Sequence, residues 1–188
     1  MPRVAFHTQA PALGPPTDPI MKGFWDRTEA TFESAFNSEG FIGGMRGDNG
    51  EFVPGPGFDG PIPKSIPHGS ETDSRTDFYA EYESAPSTLT IWSDLESVAA
   101  FAYRGRHGEA LSKRQEWFAE TEYPVYVAWW IEDNDQPPTW SEAGRRLTYL
   151  SEHGPSPKAF NFKSAFDSGG SSVKLDRSTL EHYSKTVR

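Results

Sequence analysis

The sequence predicts an α+β fold built on one sheet. Two long stretches, Asp18 to about Asn37 and Ser93 to about Ala119, carry apolar residues three and four apart, as helices do. Short β-type runs sit before, between and after them. The chain's 188 residues suffice for a single domain with a proper core. Residues 1–166 read as that domain, with a Gly/Pro-rich insertion at 47–87, and 167–188 as a C-terminal tail.

Arg3 to Gln9 reads as a strand with Val4 and Phe6 on one face and His7 on the other. Asp18-Pro19 starts a helix, an N-cap carboxylate followed by proline at the first helical position. Met21, Phe24, Trp25, Thr28, Phe32, Ala35 and Phe36 form its apolar stripe, with Glu29 at the edge. Gly40 to Arg46 is a glycine-rich strand, bent or closely approached. The insertion lacks periodicity, and its prolines exclude a helix or a central strand. Phe52, Phe58, Ile62 and Ile66 mark it as a partly packed cover over a pocket mouth, and Asp77 to Tyr82 adds a short strand.

Thr88 to Trp92 is the next strand, and Ser93-Asp94-Leu95-Glu96 matches a capping box opening the long second helix. Tyr123 to Ile131 is a strand with large apolar groups on both faces, Trp129 on one and Trp130 on the other. Such a strand is covered on both sides. With few helices available, a partner subunit is expected to cover one of them. Thr139-Trp140-Ser141-Glu142 is a second capping box, and its helix stops at Gly154. Lys158 to Phe166 alternates aromatic and polar residues, as an edge strand does. The order strand, helix, strand, strand, helix, strand is that of a ferredoxin-like βαββαβ unit.

Composition excludes several functions. A net charge of −9 without a basic stripe argues against nucleic acid and anionic membranes. No apolar run approaches the roughly 20 residues of a membrane span. With no secretory apolar segment at the N-terminus, the cytoplasm is the expected location. The chain has no cysteine, and its histidines show no metal-binding spacing, so no metal and no cofactor are expected.

The chemistry concentrates on the second long helix. On a 3.6-residue wheel Ala100, Tyr103, His107, Leu111, Arg114 and Phe118 share one stripe. A charged arginine is costly to bury alone, so this stripe is expected to face a polar cavity. Histidine can move a proton, arginine can hold an enolate or carboxylate, and tyrosine can donate to an oxyanion. The competing reading is a buried network, with Glu29 or a backbone carbonyl as partner, that only orders the helix. Arg104 lies about 60° off the stripe, at the rim. Trp25, Phe32, Trp92 and Trp117 are the candidate apolar walls, although large aromatics also simply fill cores.

Tyr103, Arg104, His107, Leu111, Arg114, Trp117 and Phe118 spell YR-x-x-H-x-x-x-L-x-x-R-x-x-WF, and His153, Gly154, Pro155, Pro157, Ala159 and Phe160 spell HGP-x-P-x-AF. With these motifs the chain from Thr90 to Phe166 resembles the family known as domain of unknown function 3291. That family belongs to the dimeric α/β-barrel superfamily, alongside antibiotic-biosynthesis monooxygenases. The resemblance implies a homodimer of two facing sheets with a pocket between each sheet and its helices. It also implies a small-molecule substrate. The first expectation is a cofactor-independent cyclase or isomerase, or a cofactor-free monooxygenase, acting on an aromatic or polyketide-like molecule through His107, Arg114 and Tyr103. The alternatives are a haem protein with His107 as axial ligand, and a binding module without catalysis.

Overall fold

The computed structural model describes residues 1–46, 51–55, 82, 84–132, 137–175 and 180–181. Its main element is a five-stranded antiparallel sheet. The strands are β1 (Arg3–Gln9), β2 (Phe41–Arg46), β3 (Glu51–Pro54), β4 (Ser87–Trp92) and β5 (Tyr126–Ile131), in the spatial order β3-β2-β4-β1-β5. Among the described residues the α-helices that accompany it are α1 (Lys22–Phe36), α2 (Leu95–Tyr103), α3 (Gly105–Ser112) and α4 (Trp140–His153). Among the described residues no helix is long and apolar enough to cross a membrane.

Strand alternation divides the core. Val4, Phe6, Trp92 and Ala128 pack with Leu95, Val98, Ala99, Phe101 and Ala102 of α2 on one face. Ala5, Leu89, Ile91, Val127, Trp129 and Ile131 point the other way, under Trp140, Ala143, Leu147 and Leu150 of α4. This second face is therefore covered by the chain itself, and the expectation that a partner must cover it loses its premise. The stretch after Thr139 is long enough for a four-turn amphipathic helix, and that helix lies back over β5. Trp129 faces α4, while the Trp130 indole N–H donates to Phe166 O on the opposite side, at 2.7 Å.

Several boundaries depart from the sequence expectation. The first helix is entered through a 3₁₀ turn, Pro19–Met21, with the Asp18 carboxylate accepting from the Ile20 amide at 2.8 Å. The expected long helix from Ser93 breaks at Arg104, whose backbone is extended (φ −124°, ψ 173°), and restarts at Gly105 with φ +51°. Glycine takes that left-handed conformation without the Cβ clash other residues meet. Two glycines, Gly105 and Gly108, also weaken a continuous helix there by roughly 1 kcal/mol each. The chain then passes through a 3₁₀ turn at Arg114–Glu116.

The N-cap of α2 is Asp94 and not Ser93: Asp94 Oδ1 accepts from the Ser97 amide at 2.7 Å, and the Ser93 hydroxyl binds the same carboxylate. Asp94→Ala is expected to cost about 1 kcal/mol, read as a lower urea midpoint at unchanged slope. No loss of stability would show that the cap is redundant.

The insertion contributes a strand the sequence did not suggest. β3 pairs with β2 at the sheet edge, where its proline is tolerated, and Phe52 is buried against Gly43. A Cβ at Gly43 would collide with the Phe52 ring, which accounts for glycine in that strand. Tyr82 packs against the core without belonging to a strand. Phe58, Ile62, Ile66 and residues 77–81 lie outside the described residues, and with them the expected pocket cover. Lys158 to Phe166 is not one edge strand. Phe160 makes a two-bond bridge to Ala128, and then β6 (Ala165–Phe166) pairs with β7 (Ser172–Val173). The turn Asn161–Ser164, where the Asn161 side chain accepts from the Lys163 and Ser164 amides, interrupts the alternation. Val173, Leu175 and Leu180 of the tail pack on the chain's own α2-side core.

Candidate functional site

The α2 side of the sheet carries a layer of rings. Phe41, Trp92 and Phe101 follow one another at centroid distances of 5.1 Å, and the His107 ring lies 4.8 Å from Phe101. Beside them, Phe6, Tyr126 and Phe162 stack in a triangle with sides of 5.3–5.8 Å, and Tyr103 meets Phe162 edge-on at 5.8 Å. The order is dictated by β1 and β5: Phe6 and Tyr126 lie on the strand faces that point to α2, and Phe162 closes the layer from the segment after α4.

His107 is partly buried, and its Nδ1 lies 2.8 Å from the carbonyl of Ala102. A carbonyl only accepts, so Nδ1 carries the proton and Nε2 holds a lone pair. Burial pulls its pKa below 6.5, outweighing the Ala102 bond, which acts in the opposite sense. The imidazole is therefore neutral at neutral pH. The break at Arg104 places it there: α3 folds back so that the ring of its third residue reaches the last turn of α2.

Tyr103 and Tyr126 form a hydroxyl pair 3.4 Å apart, and Tyr126 Oη accepts the Phe162 amide at 3.3 Å. Burial, followed by the neighbouring Tyr103 hydroxyl, raises the Tyr126 pKa well above that of an ordinary phenol. Its hydroxyl remains a neutral donor through the physiological range. Tyr126 and Phe162 were missed by motif reasoning. The signal was available only in the strand parity that puts Tyr126 and Phe6 on one face.

The expected trio is not assembled as one stripe. Arg114 is exposed, and its guanidinium donates to Leu111 O at 3.3 Å. The helix break changes the register between Tyr103 and Arg114, so the wheel that aligned them does not apply. Arg104 is exposed at the break. Trp92 is fully buried, with its indole N–H on Thr90 Oγ1 at 2.9 Å, and serves as core. Trp117 is also buried and anchors α1: its Nε1 would lie 3.0 Å from a Cβ at Gly23, and Arg27 sits 5.4 Å over its ring. Trp25 is exposed on α1 against Phe24, Phe32 is half-buried, and Glu29 is exposed. Among the described residues no group of three or more His, Asp or Glu side chains could hold a metal ion.

An α+β domain with a histidine and a tyrosine pair set against an aromatic layer is the class that the fold and this cluster define. The chain belongs to the family described as Domain of unknown function (DUF3291), whose model matches residues 3–176. No curated protein and no solved structure matches it.

Proposed function

We propose that the protein is a cofactor-independent enzyme that moves a proton beside a carbonyl of a small, mostly apolar molecule, aromatic or polyketide-like, to bring about cyclisation or isomerisation. Cofactor-free oxygenation is the variant within the same class. The observation that carries this reading is His107, neutral and with its tautomer fixed by Ala102, so that Nε2 is available as a base. The Tyr103–Tyr126 pair supplies a donor for the enolate oxygen that develops when the proton leaves. Arg114 stays outside this scheme. The sub-order β2-β4-β1-β5 supports a ferredoxin-like unit with β3 added at one edge. A dimeric α/β barrel on it is part of the same proposal, with contacts that must accommodate α4.

Proton exchange tests the reading without a known substrate. In D₂O, aryl β-diketones are expected to exchange their α-protons faster with the protein than in buffer, by NMR. His107→Gln should abolish the excess, and Tyr126→Phe should reduce it. Exchange at the buffer rate across such compounds would leave a non-catalytic binding module.

The Ala102 bond also favours a second reading. Metal-bound histidines commonly donate their other ring N–H to a carbonyl, so His107 resembles a haem axial ligand at that end. The remainder fits poorly: Phe101 packs against the ring. A Soret band in the purified protein would favour haem over acid–base chemistry.

A further inference from the structure

On the outer side of α4, across the sheet from His107, lies a cleft of about 270 Å³ lined by Glu142, Arg145, Arg146, Tyr149 and Lys158. Glu142, Arg146 and Tyr149 recur at i, i+4 and i+7, on one helix face. Lys158 reaches the same cleft because α4 ends at Gly154, with φ +73°, and the following turn doubles back.

The charges in this cleft are not balanced. Arg146 is committed: it donates to Glu142 Oε1 at 3.0 Å and to Lys158 O at 2.6 Å, over the Trp129 ring. Glu142, the one acid in the lining, is thereby used. Among the described residues Arg145 bonds only the Ser141 hydroxyl, at 2.7 Å. The Lys158 ammonium lies 5.7 Å from the Tyr149 ring centroid and bonds no carboxylate of the described residues. His153 stacks on the Tyr149 ring at 4.2 Å. Two uncommitted cations and a phenol thus converge on one concavity, in a chain whose net charge is −9.

We propose that this cleft binds a small organic phosphate monoester, with the phosphate held by Arg145, Lys158 and the Tyr149 hydroxyl. Two unpaired positive charges match a dianion, and arginine and lysine are the usual phosphate donors. The volume exceeds that of an inorganic anion, which leaves room for an organic body. The site is independent of the acid–base reading of His107, so either can fail alone.

The probe is phenyl phosphate, titrated into ¹⁵N-labelled protein and followed by NMR, with benzoate and inorganic phosphate as comparisons. The expected result is saturable shifts confined to the amides around Tyr149, Lys158 and Ala159, with a Kd of roughly millimolar or tighter. Benzoate, with one charge, and inorganic phosphate, which leaves the cleft unfilled, should each bind more weakly. Arg145→Gln with Lys158→Gln should weaken phenyl phosphate at least about tenfold with an unchanged circular dichroism spectrum. Should the double variant not fold, Lys158→Gln and Tyr149→Phe singly carry the same expectation in smaller degree. Shifts scattered over the surface, unchanged affinity in these variants, or equal binding of the three anions would overturn the proposal and leave only a patch of surface charge.

Discussion

Replacing Trp129 with alanine is expected to destabilise the protein by about 3–5 kcal/mol, the range for deleting a large buried aromatic. The indole is fully buried in β5, and Trp140, Ala143, Leu147 and Leu150 of α4 belong to the same core cluster. Its ring N–H bonds no atom of the described residues, so the loss comes from packing and from the cavity left behind. Arg146 also loses the ring it sits on. Because α4 covers this face within one chain, the difference between the wild-type and variant urea midpoints should be the same at about 1 and 50 µM protein, even where the proposed dimer raises both midpoints with concentration. A cost below about 1 kcal/mol would mean that α4 does not hold this face closed.

Most of the elements were legible because their signals are local. The alternation of Val4, Phe6 and His7 gave β1 its two faces, and Thr139 caps α4 as its sequence suggests, accepting from the Glu142 amide at 3.1 Å. What failed was long-range or depended on one torsion angle. A helical wheel assumes an unbroken helix, and the positive φ of Gly105 is enough to separate Tyr103 from Arg114. The GRHG run carried that warning, since two glycines close together are poor helix formers, but the hydrophobic period alone outweighed it. The cover that α4 gives β5 is illegible in the sequence for a different reason. Periodicity shows that α4 is amphipathic and not which surface its apolar side meets. Phe162 was invisible as a site residue because its partners, Phe6, Tyr103 and Tyr126, come from three distant segments. His107 has a local partner, since Ala102 is five residues away.

Changing His107 to glutamine is expected to lower turnover by roughly 10²–10⁴-fold, the usual contribution of a general acid or base. Stability separates this from a structural role. The imidazole's bond to Ala102 and its contact with Phe101 are modest, and glutamine keeps an N–H donor, so the folded fraction should stay near wild type. The pH dependence gives an independent reading. Burial holds the folded pKa below the unfolded value of 6.5. Between these two values the unfolded chain binds a proton that the folded one does not, so stability rises with pH there. The contribution is complete above pH 6.5 and is lost as pH falls through the folded pKa. In urea titrations from neutral to acidic pH, wild type should therefore lose more stability over this window than His107→Gln. For catalysis the same depression keeps Nε2 free at neutral pH, so kcat/KM should be flat there and fall only below pH 6.5. Two results would move the chemistry away from α3: a variant with full specific activity and a collapsed melting temperature, or an acid limb that persists unchanged after His107 is replaced.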